Sequence, residues 1–270
     1  MIDDVATEVV ALLGTGRQIA PFSTRFPDFC LSDAYRIAAK VRGLRVARGE
    51  TVVGRKIGFT NRTVWSGYGL TGPIWGYLYD STVHALSEVG ESYSLDGLSE
   101  PRIEPEVVLH LAREPRLGTS DEELLACVDW VAQGFEIVYS IFPGWVFTAA
   151  DAVAAFGVHA GLLIGKPRPI SENGRAWAQM LSSFSIELMQ DNMIKARGQG
   201  RDVLGGPLDA LRFLLREIEE YPGTEPIRAG EIITTGTLTQ AMPAQAGTTW
   251  TTAVDGIDLE GIRVRFRTNG

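Results

Sequence analysis

Apolar residues at the start of the chain recur with the period of an α-helix. Their spacing predicts a first helix over residues 2–14 and a second over 33–49, for which Ser32 is the expected N-cap. From Thr51 to Phe59 the pattern changes to apolar and β-branched residues around a glycine, which predicts an interrupted strand. The chain is therefore expected to be helical up to about residue 50.

Residues 60–100 mix many glycines with aromatic residues, and they are predicted to be rich in loops. Trp65, Trp75 and Tyr77 belong to this region. Such residues could cover a pocket as a lid, or they could fill one side of the core. The sequence pattern leaves both interpretations open.

Short apolar segments separated by turn residues predict strands through much of the remaining chain, at 102–111, 134–140, 160–164 and 184–189 and in several pieces between 231 and 266. Helices are predicted over 120–130, 148–156 and 207–219, the last beginning at a proline. No linker divides the chain. We expect one α+β domain over residues 1–270, in which a helical region of about 1–50 packs on a mixed, mostly β C-terminal body.

Composition and charge narrow the class of protein. Hydrophobic residues make up 45% and charged residues 21% of the 270 residues, as in ordinary soluble globular proteins. The net charge of −8 argues against nucleic acid as a partner. No apolar run reaches the roughly 20 residues of a membrane span. Cys30 and Cys127 lie in no close-spaced pattern, so we expect reduced thiols and a cytoplasmic protein without a membrane partner.

Three glutamates carry the clearest chemical signal. Glu104 and Glu106 lie two apart in a predicted strand, so both side chains point to one face, and Glu136 interrupts another apolar strand. Carboxylates in apolar surroundings need a partner, and carboxylate oxygens are the ligands that Mg²⁺ or Mn²⁺ prefers. The alternative is that arginines pair with the first two glutamates and a lysine pairs with the third.

Several segments, in this order along the chain, resemble the 2-keto-4-pentenoate hydratases. These enzymes belong, with the 4-oxalocrotonate decarboxylases, to the fumarylacetoacetate hydrolase superfamily. The similar segments are residues 52–60 (VVGRKIGFT), 101–106 (PRIEPE), 135–138 (FEIV), 191–208, and 227–238 (IRAGEIITTGTL). The resemblance covers nearly the whole chain, and it implies the fold of that superfamily.

The resemblance implies a metal-dependent lyase with Glu104, Glu106 and Glu136 as ligands of Mg²⁺ or Mn²⁺. Its substrate would be a 2-hydroxy-2,4-dienoate or related small 2-oxo acid, converted through a metal-stabilised enolate in the catabolism of aromatic compounds. Lys56 matches the family's active-site lysine, although it could also pair with Glu136. Thr237 is carried over as a substrate-binding residue. The family also implies a homo-oligomer.

One segment departs from the family pattern. Ala155 and Phe156 stand where the hydratases have Asp-Asn, and Val158 replaces a serine. These polar residues would orient water or substrate, so their loss makes water addition doubtful. His159 is a gain at the next position, either as a catalytic general acid or base or as a hydrogen-bonded structural residue.

A second departure concerns the family's acid after the 76–79 segment. The family's acid aligns with Ser81, whereas Asp80 stands one residue earlier. Asp80 is predicted to be catalytic only if the register of this loop shifts by one residue. Trp75 and Phe156 predict contacts with a bulkier, more apolar substrate tail.

The reaction itself stays open at the level of sequence. Besides hydration, the alternatives are a 2-oxo acid decarboxylase, a tautomerase or a C–C hydrolase of the same superfamily. A further alternative, from another class, is a non-catalytic accessory subunit that supports a partner enzyme of the same pathway.

Overall fold

The computed structural model describes residues 1–68, 70–170, 174–221 and 224–268. Gly69, in the predicted loop-rich region, and residues 269–270 of the predicted domain lie outside these ranges. The α-helices within them are α1 (Ile2–Leu12), α2 (Phe22–Arg25), α3 (Leu31–Ala47), α4 (Trp65–Tyr68), α5 (Asp121–Leu125), α6 (Ala149–Ala154), α7 (Gly174–Ser183) and α8 (Pro207–Glu220).

The strands form two sheets. They are β1 (Val52–Gly58), β2 (Ile74–Tyr79), β3 (Val83–Ala85), β4 (Tyr93–Ser94), β5 (Arg102–Leu111), β6 (Val128–Val138), β7 (His159–Ile164), β8 (Arg168–Pro169), β9 (Ser185–Gln190), β10 (Met193–Gln199), β11 (Ile232–Thr237), β12 (Met242–Pro243), β13 (Thr249–Asp255) and β14 (Arg263–Arg267). The larger sheet has the order β2-β1-β11-β5-β6-β7-β3, with β12 beside β5 and β8 beside β6. The smaller sheet has the order β10-β9-β13-β14-β4.

The predicted α+β class is confirmed. The apolar side of α1 packs on α3, and α3 packs on α6, so the N-terminal helices cover one side of the body formed by the sheets. α3 begins two residues earlier than predicted, with Cys30 as its N-cap, because Cys30 has extended backbone angles while Ser32 already lies within the first turn. None of the described helices is long and apolar enough to cross a membrane.

The helix predicted from Ser120 to Trp130 is confirmed at its start and wrong at its end. Ser120 caps it as expected, through a hydrogen bond from the Glu123 amide, but the helix ends at Leu125. Val128 already pairs with Leu111 as the first residue of β6. Pairing with β5 therefore overrides the helical pattern, and the strand predicted over 134–140 begins six residues earlier, at Val128.

Most other predicted elements are found with shifted ends. The region predicted to be rich in loops contains β2, all of whose residues are buried. Trp75, Tyr77 and Tyr79 lie in the core, which supports the core-filling interpretation for these three aromatics. Trp65 is only partly buried. The tail forms β11 to β14, as expected for several short strands.

Candidate active site

The three glutamates predicted to bind a metal lie together on β5 and β6. Glu104 is directly opposite Glu136 in the antiparallel ladder, and Glu106 follows two residues along β5. One carboxylate oxygen of each lies within 4.8 Å of the others. Glu106 and Glu136 are buried, and Glu104 is half-buried. Side chains opposite one another across antiparallel strands share a face, which explains why the ladder gathers these three carboxylates.

Lys56 reaches the cluster from β1. Its Nζ lies 3.2 Å from Glu136 Oε2 and donates a hydrogen bond to the Gly157 carbonyl oxygen at 3.1 Å. β11 and β5 stand between β1 and β6, so a flat sheet would separate the two backbones by roughly 14 Å. The contact therefore depends on the curvature of the sheet and on the length of the lysine side chain.

His159 lies behind Glu136. Its Nδ1 is 2.8 Å from Glu136 Oε1, and its Nε2 is 3.0 Å from the hydroxyl oxygen of Thr82. Burial lowers the pKa of His159, against the opposing effect of Glu136. A ring that donates from Nδ1 to the carboxylate satisfies the contact with Glu136. Both ring nitrogens are thus engaged with the protein.

The turn at the end of β11 contacts Glu106. The Gly236 amide donates to Glu106 Oε2 at 2.9 Å, and Gly236 has φ +96°. A Cβ at this position would come within 2.3 Å of the Thr60 hydroxyl, so glycine is required both for the conformation and for the close approach. Thr237 pairs with Glu106 across the strands, while its hydroxyl donates to the Thr239 carbonyl at 3.0 Å.

Burial sets the charge state of the cluster. It raises the pKa of Glu104 to about 7, against the charge of Lys56. Burial, with the negative charges of Glu136 and Glu104, holds the pKa of Glu106 well above its usual range. Burial also opposes the charge of Glu136, but Lys56 and His159 outweigh it and lower the pKa of Glu136. The carboxylates of β5 therefore need a further cation to be fully ionised.

The donor set fits one divalent cation. Glu106 Oε1 is buried and has no hydrogen-bond partner among the described residues. Three carboxylates face one lysine, so two negative charges remain, which is what a divalent ion would neutralise. Carboxylate oxygens together with water are the ligands that Mg²⁺ and Mn²⁺ accept.

The segment that departs from the family pattern forms a left-handed turn next to Lys56. Phe156, Gly157 and Val158 each have φ of 60°. This conformation is costly for a phenylalanine and more so for a β-branched valine. The turn fits closely against β2, because a Cβ on Gly76 would lie 3.0 Å from the Phe156 carbonyl oxygen. It presents the Gly157 carbonyl, and no side-chain hydroxyl or amide, to the lysine.

Three residues predicted from the sequence are not brought to the cluster. Asp80 is exposed, and its carboxylate accepts hydrogen bonds from the Thr51 and Ser81 amides. Trp75 pairs with Ile57 while Lys56 pairs with Gly76, so the indole lies on the opposite face of the sheet from Lys56.

The Trp75 ring stacks on Tyr35 at 5.1 Å between ring centroids. Phe156 is buried in the main core cluster, with the Arg45 guanidinium 5.8 Å from its ring centroid. Neither aromatic has a contact with the three glutamates that would support the predicted substrate-binding role.

Sequence reasoning missed two contributors to the site. Thr82, immediately before β3, contacts His159 from 77 residues earlier in the chain. Gly157 contributes only a carbonyl group, which every residue type carries. Neither position has a local pattern that would have identified it, because each acts through a long-range contact.

No family model matches the chain. It is 31% identical over 250 residues to the 2-hydroxyhexa-2,4-dienoate hydratase of Comamonas testosteroni, covering 91% of this chain and 90% of that one. It is 30% identical over 270 residues to the 2-keto-4-pentenoate hydratase of Paraburkholderia xenovorans (strain LB400), covering 99% and 95%.

Solved structures show the same fold. The 4-oxalocrotonate decarboxylase of Pseudomonas putida G7, complexed with magnesium and adipate, superposes with a TM-score of 0.87 at 25% identity over 98% of this chain and 97% of that one. The fumarylpyruvate hydrolase of Pseudomonas aeruginosa, in complex with Mn²⁺ and pyruvate, gives 0.59 at 15% identity over 80% and 90%.

The fold and the carboxylate cluster define a fumarylacetoacetate hydrolase-like protein. Within that class, the nearly full-length similarity at about 30% identity places the chain in the 2-keto-4-pentenoate hydratase family, whose named members are lyases. The family resemblance read from the sequence is therefore confirmed.

Proposed function

We propose that this protein is a divalent-metal-dependent lyase that acts on a 2-hydroxy-2,4-dienoate or a related small 2-oxo acid, with a role in the breakdown of aromatic compounds. The observation that carries the proposal is the contact of Lys56 with Glu136 inside the cluster formed with Glu104 and Glu106. An ammonium group and a cation site on one buried surface suit a substrate whose carboxylate and 2-oxo oxygens gain negative charge during reaction.

Glu104, Glu106 and Glu136 would hold the ion, and Mg²⁺ or Mn²⁺ is the expected choice for an all-carboxylate donor set. When bound there, the ion would supply Lewis-acid stabilisation of charge on the substrate oxygens. The Gly236 amide fixes one oxygen of Glu106, and the unpartnered Oε1 stays available as a ligand atom.

Lys56 is proposed as a catalytic residue. The Gly157 carbonyl accepts a hydrogen bond from Nζ and Glu136 forms an ion pair with it, so the ammonium has a defined position beside the carboxylate cluster. In that position Lys56 would stabilise enolate charge or transfer a proton to the substrate carbon. His159 is proposed as a positioning residue that orients Glu136, since both of its ring nitrogens are already engaged.

Decarboxylation is the second candidate reaction, and a specific observation favours it. Water addition needs a polar group that holds the water. In the turn next to Lys56, the family's polar positions are occupied by the apolar residues Ala155, Phe156 and Val158. Loss of CO₂ followed by protonation of the enolate needs only a cation and a proton donor. The accessory-subunit alternative has less support, because the carboxylate cluster and its lysine are both present.

Solvent exchange tests the proposal. We would incubate the protein with Mg²⁺ and simple 2-oxo acids in D₂O and follow exchange at C3 by NMR. Exchange is expected in the wild type and should be lost in Lys56→Met and Glu106→Gln. Lys166→Met, which removes an exposed lysine paired with Glu260, is the matched control and should exchange normally. Absence of exchange in the wild type, or full exchange in Glu106→Gln, would refute the mechanism.

Products separate the two reactions. Supplied with a 2-hydroxy-2,4-dienoate, a hydratase forms a 4-hydroxy-2-oxo acid. Supplied with a 2-oxo acid that has a carboxylate which can be lost as CO₂, a decarboxylase releases CO₂. The same NMR samples identify both products.

A further inference from the structure

A second cluster of polar groups lies on the face of the larger sheet that points away from the three glutamates. Arg55 precedes Lys56 in β1, and successive residues of a strand point to opposite faces. Arg55 pairs with Tyr77 of β2, so these two side chains share that second face. Arg42 of α3 packs over the same ring: the guanidinium carbons of Arg42 and Arg55 lie 5.8 and 4.4 Å from the Tyr77 ring centroid.

Three donor groups of this cluster are unsatisfied. Arg42 Nε, Arg55 Nε and the Tyr77 hydroxyl oxygen are buried and have no hydrogen-bond partner within the part of the chain that the structure describes. Arg55 is 1% exposed and Tyr77 is 5% exposed, so both are shielded from bulk solvent. Burial raises the pKa of Tyr77, against the charges of Arg55 and Arg42, so the hydroxyl keeps its proton and can donate it. Buried donors without acceptors are costly, so the cluster favours an added acceptor.

Both guanidinium groups direct the same edge towards Glu225. Arg42 Nη2 lies 3.6 Å from Glu225 Oε1, and Arg55 Nη2 donates to the Glu225 carbonyl oxygen at 3.4 Å. The edge formed by Nε and Nη2 is one through which a guanidinium binds an oxyanion with two parallel hydrogen bonds. In each arginine, Nη2 makes only a long contact on this edge and Nε makes none. Both edges can therefore take a better acceptor than Glu225.

The neighbouring carboxylates do not neutralise both arginines firmly. Glu231 is engaged at both oxygens: Oε2 pairs with Arg55 Nη1 at 2.7 Å, and Oε1 accepts a hydrogen bond from the Arg228 amide at 3.0 Å. The Glu225 side chain is 51% exposed and its ion pair with Arg42 is long, so the pair contributes little and is easily exchanged. Once Glu225 has moved away, two guanidinium groups share one carboxylate, and one positive charge is left for an anion.

We propose that Arg42 and Arg55, with the Tyr77 hydroxyl, form a binding site for a small oxyanion, a phosphate or a carboxylate group, which takes the place of the Glu225 side chain. The oxyanion accepts charge-assisted hydrogen bonds from the Nε–Nη2 edges of the two arginines. The Arg42 side chain is 33% exposed, so the ligand enters from solvent beside α3. The site is separate from the candidate active site, since Lys56 points to the other face of the sheet.

Melting temperatures of the metal-free protein test the proposal. Sodium phosphate or sodium acetate replaces sodium chloride at constant ionic strength, and unfolding is followed by differential scanning calorimetry. A specific site should raise the melting temperature by roughly 3 °C at about 20 mM anion, and the rise should saturate in the millimolar range. A rise with phosphate alone identifies a phosphate site, whereas a rise with acetate shows that a carboxylate is sufficient.

Variants with opposite expected effects locate the anion. Arg42→Gln should lose the saturable rise, and Glu225→Gln should bind the anion several-fold more tightly because a competing carboxylate is removed. Arg36→Gln, at an exposed position of the same helix, and Glu219→Gln, at an exposed position of α8, control for the change in net charge and should behave as the wild type. Phosphate also stabilises folded proteins in general, so the difference between Arg42→Gln and Arg36→Gln is the decisive quantity.

The outcomes separate this site from the candidate active site. No saturable rise in the wild type, or equal rises in Arg42→Gln and Arg36→Gln, would overturn the proposal. Lys56→Met should keep the full rise, and its loss there would place the anion at the lysine and overturn the proposal as well. If Arg42→Gln does not fold, Arg42→Lys replaces it and should lose most of the rise, because it keeps the charge but not the Nε–Nη2 edge. The metal-dependent function stands after any of these results, since the experiment uses neither metal nor substrate.

Discussion

Glu136 is held from both sides by basic side chains: His159 Nδ1 lies 2.8 Å from one carboxylate oxygen, and Lys56 Nζ lies 3.2 Å from the other. The carboxylate is fully buried, so its orientation is set by these two contacts and not by solvent. Glu136 therefore connects the proposed metal ligands to Lys56.

The first prediction concerns His159. Replacing it with phenylalanine removes the hydrogen bond to Glu136 and the contact with Thr82, so the third ligand loses its fixed orientation. We expect His159→Phe to weaken Mn²⁺ binding by about tenfold or more, measured by calorimetry. His159→Asn keeps a donor near the position of Nδ1 and should recover part of the loss.

His110→Asn is the matched control for this prediction. His110 also pairs with a carboxylate, Asp129 at 2.6 Å, but far along β5 from the cluster. This variant should bind Mn²⁺ as the wild type does. Wild-type affinity in His159→Phe would show that Glu136 needs no support from the imidazole.

The second prediction compares two glycines in the left-handed conformation. Gly157 has φ +60°, and a Cβ there would lie 3.2 Å from Lys56 Cδ, whereas Gly118 has φ +78° and no atom within 4 Å of its Cβ position. Each substitution by alanine should lower the free energy of unfolding by about 1 kcal/mol, seen by urea denaturation. Only Gly157→Ala should also slow C3 exchange, because it displaces Lys56. Equal exchange rates in the two variants would contradict this role of the turn.

The third prediction concerns metal binding and stability. Saturating Mn²⁺ should raise the melting temperature of the wild type, since a ligand at one hundred times its Kd adds about 2.7 kcal/mol. In Glu106→Gln this shift should largely disappear, but the metal-free variant should be at least as stable as the metal-free wild type. The reason is that the change removes one buried acid from a crowded cluster and keeps an oxygen for the Gly236 amide.

Differential scanning calorimetry with and without Mn²⁺ measures both effects of Glu106→Gln. Glu260→Gln replaces an exposed carboxylate that pairs with Lys166. This variant serves as the control and should keep the full metal-dependent shift in melting temperature. A large loss of stability in the metal-free Glu106→Gln protein would mean that the carboxylate stabilises the fold without the ion.

The fourth prediction is a pH dependence away from the site. Burial, assisted by Glu220, raises the pKa of Glu217 on α8 to about 7. The folded state then holds the proton more tightly than the unfolded state, so stability should fall as pH rises from about 4.5 to 7. Glu217 is only half-buried, so solvent screening should limit this loss to about 1 kcal/mol.

Urea unfolding at pH 5 and pH 8 checks the fourth prediction. Glu217→Gln should reduce the difference in stability between the two pH values, while Glu219→Gln, an exposed change on the same helix, should leave it as in the wild type. An unchanged difference in Glu217→Gln would assign the pH dependence to other groups.

Local periodicity made part of the site predictable from the sequence. The two-residue period of a strand places Glu104 and Glu106 on one face wherever β5 lies, and Glu136 stands out as an acid among apolar neighbours. The helical start of the chain and the Ser120 cap follow from equally local rules. The resemblance to a family implies that Lys56 belongs to the same site as the glutamates.

Only the tertiary structure decided what these residues meet. The β5–β6 register sets Glu104 opposite Glu136, the curvature of the sheet brings Lys56 across two intervening strands, and Thr82 reaches His159 from 77 residues away. Pairing of β6 with β5 makes Val128 part of a strand where the sequence predicted a helix. Pairing of β2 with β1 places Trp75 on the face of the sheet opposite Lys56. The physical reason is that side-chain direction follows from backbone geometry over a few residues, whereas register and curvature follow from the packing of the whole sheet.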